Sequence, residues 1–65
     1  MIAPLTERQR EVMRLVAAGR LRKEVARELH ITQDTVKSHM KCIYAKLGAR
    51  TSSHAVHLAH RAGYL

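Results

Sequence analysis

Residues Lys23 to Gly48, KEVARELHITQDTVKSHMKCIYAKLG, constrain the fold more tightly than any other stretch of the chain. Val25, Ala26 and Leu29 share one face at helical spacing, and Val36, Met40, Ile43 and Leu47 recur as a second apolar stripe. Only His30 and Ile31 separate the first pattern from Thr32, a residue suited to cap a second helix. Two helices joined so briefly must cross at a steep angle, and Ala26 offers the small side chain that such a crossing needs. His30 falls where a turn commonly demands positive φ, a conformation that histidine tolerates better than most residues other than glycine. Ile31 is placed to plug the corner. The pattern predicts a helix-turn-helix.

Signals on either side extend this to an all-α, four-helix bundle-like fold, with helices at about 7–18, 22–29, 33–47 and 52–62. Thr6 and Gln9 have the spacing of a capping box, Val12, Leu15 and Val16 share the apolar face behind it, and Gly19 supplies the stop. Arg10 stands where a hydrophobic staple for Leu5 would need an apolar partner, so that device is absent. Thr32 and Gly48 bracket the third helix; Thr51 and Gly63 bracket the fourth. The second has the poorest start, because Leu21 at its cap position offers no oxygen to the exposed N–H groups. On the fourth, Ala55, Leu58, Ala59 and Ala62 form the expected inward face, leaving Ser53, Val56 and His60 outward.

With 65 residues the chain holds one small core, so the expectation is a single domain over 1–65 with no room for a sensing module. Twelve Lys and Arg face five acids, for a net charge of +7 that favours a polyanionic partner. All five acids precede residue 35. From there on Lys37, Lys41, Lys46, Arg50 and Arg61 have no acidic counterpart, a bias that solubility alone does not require.

Several other classes are excluded on chemical grounds. Cys42 has no partner for an internal disulfide, and neither a secretory segment at Met1–Pro4 nor a membrane-length apolar run is present, which points to a cytoplasmic protein without membrane association. The only nucleophile-and-base spacing is Cys42 with His39, on a cationic helix flank, so no catalytic site is expected. His54, His57 and His60 recur every third residue, but the outer two diverge by about 120° around a helix and cannot share one ion. No metal or cofactor is expected.

On a helical wheel with Val36 inward, Asp34, Ser38, Lys41 and Ala45 point outward and Lys37 lies on the flank. Lys37, Ser38 and Lys41 are therefore the candidate base-contacting residues in the major groove of double-stranded DNA. Asp34, in the first turn, complements the helix dipole. Thr32, Thr35, Lys46, Arg22 and Lys23 flank this face or sit at helix starts, where contacts reach the phosphate backbone.

The same residues resemble the LuxR-type helix-turn-helix domain, the C-terminal effector of many bacterial response regulators and quorum sensors. Leu5-Thr6 with Arg8 and Arg10-Glu11-Val12 resembles its opening, and Val16-Ala17-x-Gly19 the end of its first helix. Lys23-Glu24-Val25-Ala26 resembles its second helix, Thr35-Val36-Lys37-x-His39 and Lys46-Leu47-Gly48 its third, and Ala55-Val56 with Gly63-Tyr64-Leu65 its last. The resemblance implies a sequence-specific transcription regulator with base contacts from Lys37, Ser38 and Lys41 and backbone contacts near Thr35 and Lys46. It also implies a homodimer through the fourth helix on inverted half-sites, for which Val56, His60 and Ser53 are the candidate interface. The chain departs from the family pattern in three places: Leu21-Arg22 replaces Ser or Thr followed by Asn, Ser52 replaces Arg, and Gln9 replaces Glu. The alternative is a module like the promoter-reading region of sigma factors that docks on RNA polymerase, since the L-T-x-x-Q-R-E-V opening and the T-V-K-S segment suit both. The capped fourth helix favours the LuxR-type reading.

Overall fold

Thr6 Oγ1 accepts from the Gln9 N–H at 3.1 Å, and Gln9 Oε1 accepts from the Thr6 N–H at 3.0 Å, closing the capping box that starts α1 (Glu7–Ala17). The computed structural model describes residues 4–65, so the Met1–Ala3 part of the N-terminal reading lies outside the described residues. Three further helices follow: α2 (Arg22–Leu29), α3 (Gln33–Leu47) and α4 (Ser52–Arg61). α2 and α3 have the bounds expected from sequence, while α1 and α4 each end one residue early. Ala18 and Ala62 are caps rather than helical positions.

The helix ends share one device. Arg20, Ile31, Ala49 and Tyr64 each donate a backbone N–H to the carbonyl five residues earlier, at 2.9 to 3.1 Å, and each follows a residue of positive φ. That residue is glycine at three ends and His30, with φ 57° and ψ 44°, at the fourth. The left-handed conformation costs a residue with a Cβ about 1–2 kcal/mol, whereas glycine adopts it freely but loses more entropy on folding. His30→Gly is accordingly expected to raise stability by about 0.5–1 kcal/mol. An unchanged urea midpoint would show that the imidazole compensates for its own strain.

The start of α2 differs from expectation in an instructive way. Leu21 has the extended backbone of an N-cap and no acceptor, yet Glu24 reaches back to the Leu21 N–H at 2.7 Å. Half of a capping box is therefore in place, and only the side-chain oxygen at position 21 is missing. Leu21→Ser would supply it, and because Leu21 is 60% exposed the loss of packing is small. The expected gain is about 0.5–2 kcal/mol, read as a higher denaturation midpoint.

α1 and α3 each pack against all three other helices, whereas α2 and α4 do not touch each other. Their shared core comprises Leu5, Val12, Met13, Val25, Ala26, Val36, Ile43, Ala55 and Ala59. Met13 is fully buried at its centre although the expected α1 face was Val12, Leu15 and Val16, of which the last two are half-buried. On α4, Ala62 is exposed and Val56 packs partly against the core, so the inward face is Ala55 and Ala59 flanked by Leu58 and Val56. Both alanines are completely buried, which lets the α4 backbone approach closely.

Leu5 lacks a staple partner in α1, as expected, but its N–H is held by Tyr64 Oη at 3.1 Å. Arg10 lies over the same ring, 5.4 Å from its centroid. The entry to α1 is thus tied to the C-terminal segment rather than to its own helix.

Candidate nucleic-acid interface

α3 owes its orientation to Val36 and Ile43, both buried, with Met40 and Leu47 half-buried beside them. The opposite face carries Asp34, Lys37, Ser38, Lys41, Cys42 and Ala45, all exposed. Lys37 and Lys41 are one helical turn apart and form no ion pair among the described residues. Fifteen residues make α3 about 22 Å long, enough to lie along a groove about 12 Å wide.

The corner before α3 is fixed by Thr32, whose Oγ1 accepts from the Thr35 N–H at 3.1 Å and lies 2.9 Å from Thr35 Oγ1. One of the two hydroxyl protons bridges this pair, leaving the other to serve an external acceptor. Arg22 and Lys23 are exposed at the start of α2, and Arg20 pairs with Glu28 at 3.3 Å across the surface. On the α1 side, Arg8 donates to the last carbonyl of α2, Leu29 O, at 3.3 Å and pairs with Glu11 at 2.9 Å. Arg8, in the first turn of α1, thus helps close α2 where its dipole is negative.

Lys46 is placed differently from the other named cations. Its Nζ donates to Gln9 Oε1 at 2.9 Å and to Pro4 O at 3.1 Å, and the side chain is half-buried. Gln9, only 8% exposed, is thereby satisfied from two directions. Sequence reasoning gave Gln9 its capping role but not this second one, because nothing in local spacing joins residues 9 and 46.

Around α4, Thr51 Oγ1 accepts from the His54 N–H at 3.1 Å, and His54 Nδ1 accepts from the Arg50 N–H at 3.3 Å. The first histidine of the row therefore organises the loop between α3 and α4. Ser53 and His60 are exposed beside half-buried Val56. Beneath the cationic face a groove of about 580 Å³ runs between the α1–α2 turn, α3 and the start of α4, floored by Val16, Val36, Met40 and Tyr44. No described helix is long and apolar enough to cross a membrane.

An exposed cationic helix, fixed against a shorter one across a left-handed corner, defines a helix-turn-helix nucleic-acid-binding domain. The chain belongs to the LuxR family of bacterial regulatory proteins: residues 3–59 match the family described as "Bacterial regulatory proteins, luxR family" (GerE). It is a DNA-binding domain of the transcription-regulator class.

It is 36% identical over 62 residues to YvfU, an uncharacterized transcriptional regulatory protein of Bacillus subtilis (strain 168), a match covering 95% of this chain and 31% of YvfU. The solved structure of the transcription factor GerE superposes with a TM-score of 0.89 at 33% identity, covering 94% of this chain and 91% of GerE. The VqmA dimer of Vibrio cholerae, solved in the absence of its target DNA, gives a TM-score of 0.89 at 30% identity, covering 94% of this chain and 28% of VqmA. The chain spans under a third of the length of curated relatives such as YvfU.

Proposed function

We propose that this domain, spanning residues 1–65, binds double-stranded DNA sequence-specifically in the cytoplasm, with α3 in the major groove, and does so as a dimer on inverted half-sites. The observation that carries the reading is the exposed Lys37–Ser38–Lys41 face on a helix whose other side is locked by Val36 and Ile43. A rigid helix of this kind can offer lysine donors to guanine O6 and N7 and a serine hydroxyl that pairs either way. Arg22, Lys23 and the Thr32–Thr35 hydroxyl pair reach phosphates, which fixes the register. Lys46, with two of its donors engaged internally, keeps a third for the backbone. The assembly of VqmA as a dimer supports pairing, and on this domain α4 offers the surface for it, with Ser53 and His60 as exposed polar groups around half-buried Val56.

Selection of bound sites from a random duplex library tests this directly. Inverted half-sites are the expected result; a single half-site would sink the dimer, and no preference would sink sequence-specific reading. Within that assay Lys41→Ala should relax choice at particular base pairs, at about 1–3 kcal/mol of lost discrimination, without changing stability. Lys46→Ala should weaken all sequences alike and also lower stability by about 1 kcal/mol, because Gln9 and Pro4 lose a charged donor on a partly solvated side chain. Equal and uniform losses from both variants would overturn this division of roles.

A further inference from the structure

Base and phosphate contacts use the cations around the groove but leave its apolar floor unexplained. Leu21 is the only large hydrophobic side chain exposed among the described residues, and it lines this groove together with Val16, Val36 and Met40. Leu21 also stands where the sequence departs from the family pattern, so the cap is given up at the position that makes the groove apolar. Arg20, Arg22, Lys37 and Lys41 line the same groove, and no acidic residue does. An apolar floor rimmed by Arg22, Lys37 and Lys41, which form no ion pair among the described residues, and by Arg20, which pairs with Glu28, is complementary to an anionic amphiphile.

Size favours a small molecule over a protein segment. A volume of about 580 Å³ falls inside the range of about 300–1,000 Å³ usual for ligand sites. Its ten lining residues are fewer than the roughly 20–30 that one side of a standard protein interface contributes.

We propose that this groove is a regulatory site for a small carboxylate with an apolar body, such as a medium-chain acyl carboxylate. The chain lies along Val16, Leu21 and Met40, and the carboxylate pairs with the rim. Because Arg22, Lys37 and Lys41 belong to both sites, an occupied groove withdraws them from DNA; this coupling, unlike the binding itself, rests on the function proposed above.

The test is a methyl NMR titration of the 65-residue chain with decanoate, kept below its micelle-forming concentration, with acetate and decanol as controls. Decanoate is expected to shift the methyls of Val16, Leu21, Val36 and Met40 saturably, and each control to bind at least about tenfold more weakly. Leu21→Ser, which should fold more stably than the parent, is expected to weaken decanoate binding about tenfold. Shifts spread over the whole surface, equal affinity for acetate or decanol, or undiminished binding by Leu21→Ser would each overturn the site. An acidic amphipathic peptide that moves these methyls where decanoate does not would replace the small ligand with a protein partner. Decanoate should then release a selected duplex in a competition assay. Saturable binding that leaves the duplex bound would retain the site and refute its regulatory coupling, whereas a chain that binds decanoate but no duplex would fail the DNA reading alone.

Discussion

Met13→Ala is expected to lower stability by about 2–5 kcal/mol, the cost of emptying a buried methionine site that cannot collapse fully. A domain of this length has only about 3–10 kcal/mol of stability at the usual 0.05–0.15 kcal/mol per residue. The variant should therefore melt at least about 10 °C lower, and in an unfavourable background it should not fold. Met13 is fully buried and lies in α1, which packs against all three other helices. No neighbouring element can close over the hole without leaving another contact. Met40→Ala is the matched control, since it removes the same atoms from a half-buried position at the groove. It should cost less than half as much. Equal losses in differential scanning calorimetry would show that the centre of the core lies elsewhere.

Met13 also marks where the sequence could be read and where it could not. Helix existence and ends were legible because they depend on local chemistry: Thr6, Thr32 and Thr51 cap, and Gly19, Gly48, Gly63 and His30 take the positive φ that ends each helix. Burial depends on what the other helices cover. Val12, Met13, Leu15 and Val16 span an arc wider than any single face, and only the placement of α2, α3 and α4 decides that Met13 faces the centre and Leu15 the edge. Ala62 was misplaced for a related reason. It follows the helical spacing of Ala55 and Ala59, but it is the C-cap of α4 and its side chain is exposed there.

The reading face was legible for the same reason as the helices, since outward and inward positions on α3 follow from the stripe of Val36, Met40, Ile43 and Leu47 alone. Two features of the site were not. Lys46 looks like a free cation at a helix end, and only the fold brings its Nζ to Gln9 and Pro4, 37 and 42 residues away along the chain. Leu21 looks like a defect in capping. In three dimensions it is half capped by Glu24 and forms part of an apolar groove, so the position weakens a helix start and creates a surface.

Raising salt from about 50 to 200 mM is expected to weaken duplex binding by roughly 500-fold if one protomer binds, and by about 10⁵-fold if two bind together. The estimate follows from counting cations on the proposed DNA side: Arg22, Lys23, Lys37, Lys41 and Lys46. Counterion release counts cationic charge brought against the duplex, whether it donates to a base edge or to a phosphate, so five cations give a slope of log K against log[salt] of roughly −4.5, and a dimer doubles it. None of the first four forms an ion pair among the described residues, so neutralising phosphate does not first require breaking an internal bridge. Lys46 differs, because its ammonium already serves Gln9 and Pro4. Lys23→Ala should flatten the slope by about one per protomer, and Lys46→Ala by less. The slope thus reports the number of protomers on the DNA independently of sedimentation or crystal packing. A magnitude below about 2 would mean that these cations do not lie against the duplex, and the proposed duplex reading would fail with it.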